Sequence, residues 1–400
     1  MALARIGIYG GTFNPPHCGH IHAACQAAQK LCLDKVLLIP DNIAPHKQLP
    51  EDSASAQQRL EMLCIAAAGI ERLEVSDIEL RRQGTSYTYE TVMALRQQYP
   101  DAELTLLMGT DMFLSFGSWK NPQIITREAR LGVLYRGERD EILAIRQQAQ
   151  RMQEKGVSVV LVDNPVLAIS STDLRRMLVF GCADPELPEG VGEYIRQKGL
   201  YGTSKNRKGL TLEQLEAEVT GLLKPNRVAH VLGCRDTAIQ LARRFGADEN
   251  LAARAALLHD VTKALEPRLQ LTLCKEYGIV PDEFSQKNPK TLHAFTGSLV
   301  AQRVFGEEET VVEAIRWHTT GKAGMTLLEK IIYIADYMEP NRDFPGVQKL
   351  RELAYEDIDE AMMLGLKMTV ALLQQQGRSV CPESKEALQW LQAGKECEIC

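Results

Sequence analysis

The sequence has no run approaching the ~20 consecutive apolar residues of a membrane-spanning helix. It lacks a basic excess as well. Its 46 Lys and Arg stand against 52 Asp and Glu, a formal net charge of −6, which argues against a general nucleic-acid binder. Ten cysteines in 400 residues are neither dense nor regularly spaced. The opening MALARIGIYGG leads directly into a strand-like segment, so we expect no secretory leader, a cytoplasmic setting and thiols rather than disulfides. Cys397 and Cys400 form a C-x-x-C without a second pair and are expected to be an ordinary tail. Internal repeats and low-complexity tracts are absent, while 45% apolar and 24% charged residues are ordinary globular values that exclude disorder as the main state. The length predicts about two or three domains.

What is present has two rhythms. Apolar runs at Arg5–Tyr9, Lys35–Pro40, Leu73–Val75, Glu103–Gly109, Leu131–Tyr135 and Val157–Val162 predict buried strands. Amphipathic stretches at Cys18–Leu31, Ala54–Ala68, Tyr87–Gln98 and Asp140–Lys155 lie between them. Such alternation predicts βαβ units and a doubly wound α/β sheet of Rossmann type. From Thr211 onward the apolar spacing becomes helical, with helices expected at Leu212–Leu223, Pro225–Phe245, Asn250–Leu265, Leu292–Phe305, Glu308–His318, Leu327–Met338 and Val347–Gln375. The second half therefore reads as all-α. We expect domains at 1–201 and 211–377, a polar basic linker at 202–210 and a partly mobile tail at 378–400.

The densest motif is Gly10-Gly11-Thr12-Phe13-Asn14-Pro15-Pro16-His17-Cys18-Gly19-His20, placed between the first strand and the first helix. Glycines let backbone approach a phosphate, and a helix N-terminus offers N–H groups to an anion. His17 and His20 are three residues apart and share a face of the first turn, where two imidazoles can stabilise charge developing on a phosphate. The string resembles the signature of nucleotidyltransferases related to class I aminoacyl-tRNA synthetases. A second motif of that family stands at Ile169, Ser170, Ser171, Thr172, Asp173, Leu174 and Arg175, ahead of a helix whose N–H groups can hold a phosphate.

Within this superfamily the first half, about residues 4–201, is most similar to the bacterial nicotinate-nucleotide adenylyltransferases. Pro45-His46-Lys47, Gly84-Thr85-Ser86-Tyr87-Thr88, Gly109-Thr110-Asp111 and Trp119-Lys120 match that family's segments. The resemblance implies adenylyl transfer from ATP to nicotinate mononucleotide with Mg²⁺ on the phosphates, giving deamido-NAD and pyrophosphate. His17 and His20 would stabilise the reacting α-phosphate, and Lys47 and Arg175 the leaving pyrophosphate. Gly10, Gly11, Thr12, Phe13, Thr85, Ser86, Tyr87, Gly109, Asp111, Trp119, Arg136 and residues 169–172 would line the substrate site. An indole at Trp119 suits stacking on a nicotinate ring. Two alternatives stay open: a pantetheine-phosphate adenylyltransferase, whose family carries Asp at the position of Asn14, and a non-catalytic nucleotide sensor.

The second half holds four histidines, His230, His259, His293 and His318. His259-Asp260 and Asp336 sit in otherwise apolar helical stretches, where a buried charge needs a partner. A divalent metal would supply the counter-charge, and imidazole with carboxylate suits Fe, Mn or Zn. The ordered set His…His-Asp…His…His…Asp resembles the HD phosphohydrolase superfamily. The words around His230, His318, Asp336 and Arg342 are similar to those of the symmetrical diadenosine tetraphosphate hydrolases, over about residues 211–375. The resemblance implies His230, His259, Asp260 and Asp336 as ligands of iron or another transition metal. Lys263, His293, His318, Thr319 and Arg342 would then contact nucleotide phosphates, although His293 and His318 can alternatively hold a second metal. The implied chemistry is attack of metal-activated water on a bridging phosphate of diadenosine tetraphosphate, giving two ADP. Other nucleotide substrates, or a sensing role alone, are the alternatives. Neither half implies a nucleic-acid or membrane partner, and a homo-oligomer is left open.

Overall fold

The six apolar runs form β1 (Arg5–Gly11), β2 (Lys35–Pro40), β3 (Leu73–Val75), β4 (Glu103–Gly109), β5 (Arg130–Tyr135) and β6 (Val159–Asp163). This computed structural model describes residues 3–45, 49–50, 52–135, 139–164 and 169–398. They fall into two units, Met1–Ser204 and Lys205–Cys400.

In the first unit every strand pairing is parallel, in the order β3-β2-β1-β4-β5-β6. Parallel neighbours need a crossover, and the helices of the intervening segments supply it. Alternate residues of the strands face opposite helical layers. Ile6, Ile8, Leu37, Leu106 and Val133 pack with Val92, Leu95 and Phe113 on one side, while Val36, Leu38 and Leu107 pack with Ala24, Ala27 and Leu63 on the other. Burial on both faces is why these strands read as continuous apolar runs rather than as alternation. Each fully buried Ile or Leu contributes about 1.5–3 kcal/mol. Gly7 is required by proximity, because a Cβ there would lie 2.8 Å from Leu33 Cδ1. The strand order reverses between β1 and β4, opening a crevice at their carboxyl ends. The motif at Gly10–His20 follows β1 into that crevice.

The second unit is helical, as its periodicity predicts, but three expectations change. The helix beginning at Glu249 stops at Leu258 rather than Leu265. His259 Nδ1 donates to Ala256 O at 2.6 Å, and the chain continues in tight turns through Val261, Lys263 and Leu265. The expected Val347–Gln375 helix is two helices, Val347–Glu356 and Ile358–Gln375. Asp357 breaks it with φ −145° and ψ 109°, and its carboxylate caps the N–H groups of Asp359 and Glu360. An apolar period that runs on across a cap does not reveal it.

The third change concerns the tail, which contains a further helix, Pro382–Glu398. Cys381, Ala387 and Leu391 are buried, and Ser384 Oγ donates to Thr320 O at 2.7 Å. Cys400 and the side chain of Cys397 lie outside the described residues. Within the stretch expected as a linker, Arg207 is buried and pairs with Glu218 at 3.0 Å. Among the described residues, no helix is long and apolar enough to cross a membrane.

Candidate active sites

The loop after β1 is built from buried contacts. Phe13 takes φ +49° and is buried. Asn14 is buried too; its Nδ2 donates to Ser53 Oγ at 2.9 Å, and its Oδ1 accepts from the Tyr201 hydroxyl at 2.7 Å. Thr12 Oγ1 donates to Asp41 Oδ2 at 2.8 Å. The Arg59 guanidinium, 1% exposed, donates to Thr12 O at 2.6 Å and to Asp41 Oδ1 at 2.7 Å. Arg175 reaches the same loop, donating to Asn14 O at 2.8 Å, and Ser171 Oγ donates to Pro15 O at 3.1 Å. The two distant motifs therefore meet at one loop.

His17 and His20 also meet. Their rings stack at 3.6 Å and 24°, and Phe13 packs edge-on against His20. The His17 N–H donates to His20 Nδ1 at 3.2 Å. That acceptor role leaves the proton of a neutral His20 on Nε2.

His20 forms part of the wall of a cavity of about 680 Å³. Gly10, Gly11, Thr12 and Phe13 border it on one side, and Ser86, Tyr87, Gly109 and Trp119 on the other. Trp119 packs on Phe116 with ring centroids 5.3 Å apart, and Lys120 Nζ lies 3.8 Å from the Tyr87 ring centre.

Other expected residues stand apart from the cavity wall, among them His17, Thr85, Asp111 and Arg175. Ile169 is buried. Ser170 caps the helix Ser171–Val179 by accepting from Asp173 N at 3.0 Å. Thr172 Oγ1 accepts from Arg175 at 3.1 Å. Lys47 and Arg136 lie outside the described residues.

Sequence reasoning missed four residues of this site: Asp41, Arg59, Glu79 and Tyr201. Arg59 had a readable signal, because it shares the apolar face of its helix with Met62, Leu63 and Ala66. Glu79 lines the cavity. Burial pushes its carboxyl pKa up, against the hydrogen bond from Thr91 Oγ1 at 2.6 Å. Replacing Arg59 by alanine leaves the Asp41 carboxylate and the three carbonyls of Thr12, Asp41 and Asn42 without their buried donor. We expect a loss of about 3 kcal/mol, measured by urea unfolding.

The second unit gathers its expected residues around one centre. His230 comes from the helix Pro225–Phe245, His259 and Asp260 from the end of Glu249–Leu258, and Asp336 from Leu327–Met338. His230 Nε2 lies 3.1 Å from Asp336 Oδ1 and 3.7 Å from Asp260 Oδ2. His259 Nε2 lies 3.6 Å from Asp260 Oδ2 and 3.8 Å from Asp336 Oδ1. On the other side of Asp260, its Oδ1 lies 3.3 Å from His293 Nε2 and 3.9 Å from His318 Nε2. Thr319 Oγ1 is 3.1 Å from His318 Nε2.

Backbone carbonyls fix the tautomers. Nδ1 of His259, His293 and His318 pairs with the carbonyl three residues earlier, at 2.6, 2.8 and 2.7 Å, turning Nε2 inward as a lone pair. His230 instead pairs Nδ1 with Glu339 Oε1 at 3.1 Å. This carboxylate–imidazole relay is typical of metal ligands.

The electrostatics agree with a cation. Burial holds the His259 and His293 imidazoles well below their usual pKa and His318 at about 4. Neutral imidazoles can bind a metal without losing a proton. Burial opposes ionisation of Asp336, but the His230 hydrogen bond and nearby positive charges hold it well below the carboxylate range. Two buried atoms, His259 Nε2 and Asp260 Oδ1, have no hydrogen-bond partner, although buried polar groups normally have one. The residues present therefore fit a divalent cation.

Positive side chains edge the centre. Arg342 donates to Asp336 Oδ1 at 2.6 Å, Arg227 donates to Asp260, and Lys263 Nζ lies 2.8 Å from His293 Nε2. Burial lowers the Lys263 pKa to about 8.

Comparison with known proteins divides the chain in the same way. The cytidylyltransferase-like family matches residues 8–177, and the HD domain family matches residues 227–341. A probable nicotinate-nucleotide adenylyltransferase of Neisseria meningitidis serogroup C is 36% identical over 202 residues, covering 50% of this chain and 99% of that protein. The symmetrical bis(5'-nucleosyl)-tetraphosphatase of Bacillus subtilis is 40% identical over 183 residues, 46% of this chain and 98% of that protein. A crystal structure of a predicted HD superfamily hydrolase involved in NAD metabolism, from Clostridium acetobutylicum, is 34% identical with a TM-score of 0.45; it covers 46% of this chain and 98% of its own. The chain thus belongs to two families in tandem, an N-terminal cytidylyltransferase-like domain related to the nicotinate-nucleotide adenylyltransferases and a C-terminal HD domain related to the symmetrical tetraphosphatase.

Proposed function

We propose that the chain is a bifunctional enzyme, with functional domains at 1–201 and 211–377. The first joins ATP and nicotinate mononucleotide into deamido-NAD and pyrophosphate. The second cleaves diadenosine tetraphosphate into two molecules of ADP.

The observation that carries the first reading is the cavity at the β1/β4 switch point with His20 in its wall. An oxygen of the mononucleotide's 5'-phosphate attacks the α-phosphorus of ATP, and the bond from that phosphorus to the bridging oxygen breaks. No protein nucleophile is needed, so positioning and charge stabilisation account for the rate. His20 donates to the α-phosphate, with His17 stacked behind it. Arg175 and Lys47 hold the departing pyrophosphate. Mg²⁺ arriving on ATP would neutralise the triphosphate. Trp119, Tyr87 and Ser86 take the pyridine half. A pyrophosphate-release assay tests this reading. Pyrophosphate and deamido-NAD should appear in equal amounts, and activity with phosphopantetheine in place of the mononucleotide would overturn it.

The second reading rests on the inward Nε2 atoms and the two carboxylates. His230, His259, Asp260 and Asp336 would hold iron or another transition metal, which when bound supplies Lewis acidity and an acidified water. Asp260 faces two nitrogen groups, so His293 and His318 with its Oδ1 offer room for a second ion. Lys263, Arg342 and Thr319 would receive phosphate oxygens, fixed positive charge being what phosphate recognition needs.

Nucleotide chromatography of the full-length, metal-loaded protein with diadenosine tetraphosphate should yield ADP alone. AMP with ATP would reject symmetrical cleavage. Exchange of Glu339 for glutamine should weaken metal affinity about 10- to 100-fold, read by competition with a chromogenic chelator.

A further inference from the structure

The cavity of the first unit holds a buried carboxyl group that the adenylyl transfer itself does not use. Glu79 stands on the short helix Ile78–Arg82 and lines the cavity together with Ser86, Tyr87 and Thr91. After this helix the chain doubles back, with Gln83 at φ +59° and Gly84 at φ +71°, which returns Ser86 to Glu79. Thr91 Oγ1 donates to Glu79 Oε1 at 2.6 Å, and the Ser86 side chain also hydrogen-bonds this carboxylate.

A hydroxyl has one proton to give and two lone pairs that accept. Thr91 Oγ1 accepts from Arg82 Nη1 and Nη2, both at 3.2 Å, and Ser86 Oγ accepts from the Asn42 N–H at 2.9 Å. Each hydroxyl then gives its proton to Glu79. The backbone of the same segment lies along the chain that follows β2: the Ser86 N–H donates to Ile43 O at 2.9 Å, and Asn42 Nδ2 donates to Gly84 O at 3.1 Å. Glu79 is thus the acceptor shared by two buried hydroxyls of the cavity wall.

We propose that Glu79 is a positioning residue for the nicotinate mononucleotide: its carboxylate fixes Ser86 and Thr91, and through them Tyr87, in the wall that takes the pyridine half. This role rests on the adenylyltransferase reading of the first unit. Removing the acceptor strands two buried donors, the costly way to lose a hydrogen bond. Thr91 Oγ1 has Tyr87 O at 3.5 Å as its nearest alternative, so the disturbance falls on the residue next to Ser86. The opposite border of the cavity is held independently, because Arg59, Arg175 and Tyr201 secure the β1 loop. The two substrates should therefore respond differently to loss of Glu79.

The test measures steady-state kinetics of the full-length protein, with ATP and nicotinate mononucleotide varied in turn. Glu79→Ala should lower kcat/KM for the mononucleotide about 10- to 100-fold, as misplaced binding groups do, chiefly through KM, and leave KM for ATP unchanged. Glu79→Gln keeps the volume and one acceptor oxygen and should fall between Glu79→Ala and the wild type; it also decides the question if Glu79→Ala does not fold. Adding Ser86→Ala to Glu79→Ala should cost little more, because residues that act as one unit are not additive. Mononucleotide and ATP constants that rise together, constants that do not move, or fully additive losses overturn the role of Glu79 and leave the adenylyltransferase reading standing. A wild type that forms no deamido-NAD overturns both.

Discussion

His259→Ala should empty the metal centre and abolish hydrolysis of diadenosine tetraphosphate, while adenylyl transfer by the first unit stays unchanged. His259 is completely buried, and its Nε2 has no hydrogen-bond partner. The ring is oriented by Ala256 O and stands between Asp260 and Asp336. Removing it leaves two close carboxylates with one fewer partner and a cation with one fewer ligand. Loss of an outer partner of a metal ligand typically costs 10- to 100-fold in affinity or activity, and loss of the ligand itself should exceed about that. Metal analysis after gel filtration reads the effect directly. Retention of a stoichiometric ion and full hydrolase activity would remove His259 from the ligand set. The first unit is the internal control, because its loop, histidines and cavity all lie within residues 1–204.

His20→Ala should lower the kcat of adenylyl transfer about 10²- to 10³-fold, the cost of deleting one preorganised donor to developing charge. The KM for ATP should change little, because the contact strengthens chiefly in the transition state. His20 contributes through its position in the cavity wall and through an Nδ1 that already accepts from the His17 backbone N–H, which leaves Nε2 as the nitrogen that can donate. His17→Ala removes the stacked ring instead. It should produce a smaller loss, since His17 is buried behind His20 and is not part of the wall. Equal losses in both variants would assign the two rings equal contact with phosphate.

The sheet was readable because doubly buried strands are continuous apolar runs, and the two helices Pro225–Phe245 and Leu327–Met338 match their expected bounds because proline, threonine and glycine flank them. The histidines and aspartates of the second unit were readable as a set because charged groups stood out in apolar helices. Other features escaped for identifiable reasons. Arg59 reads as a surface arginine unless its helical face is computed, and Tyr201 lies far along the chain from the loop it fixes. Glu339 follows Asp336 by three residues in a stretch whose sequence gives no sign of a second carboxylate behind His230. Asp357 interrupts no apolar period, so only its cap geometry shows the break.

The hydrogen bond from Tyr201 to Asn14 joins residues 187 positions apart. During synthesis the β1 loop emerges first, yet the hydroxyl that secures its asparagine is made nearly two hundred codons later. A ribosome paused before that tyrosine would carry a nucleotide-binding strand and helix whose connecting loop still lacks its latch. The loop that carries the signature motif is therefore fully bonded only once the last aromatic residue of this unit has reached it.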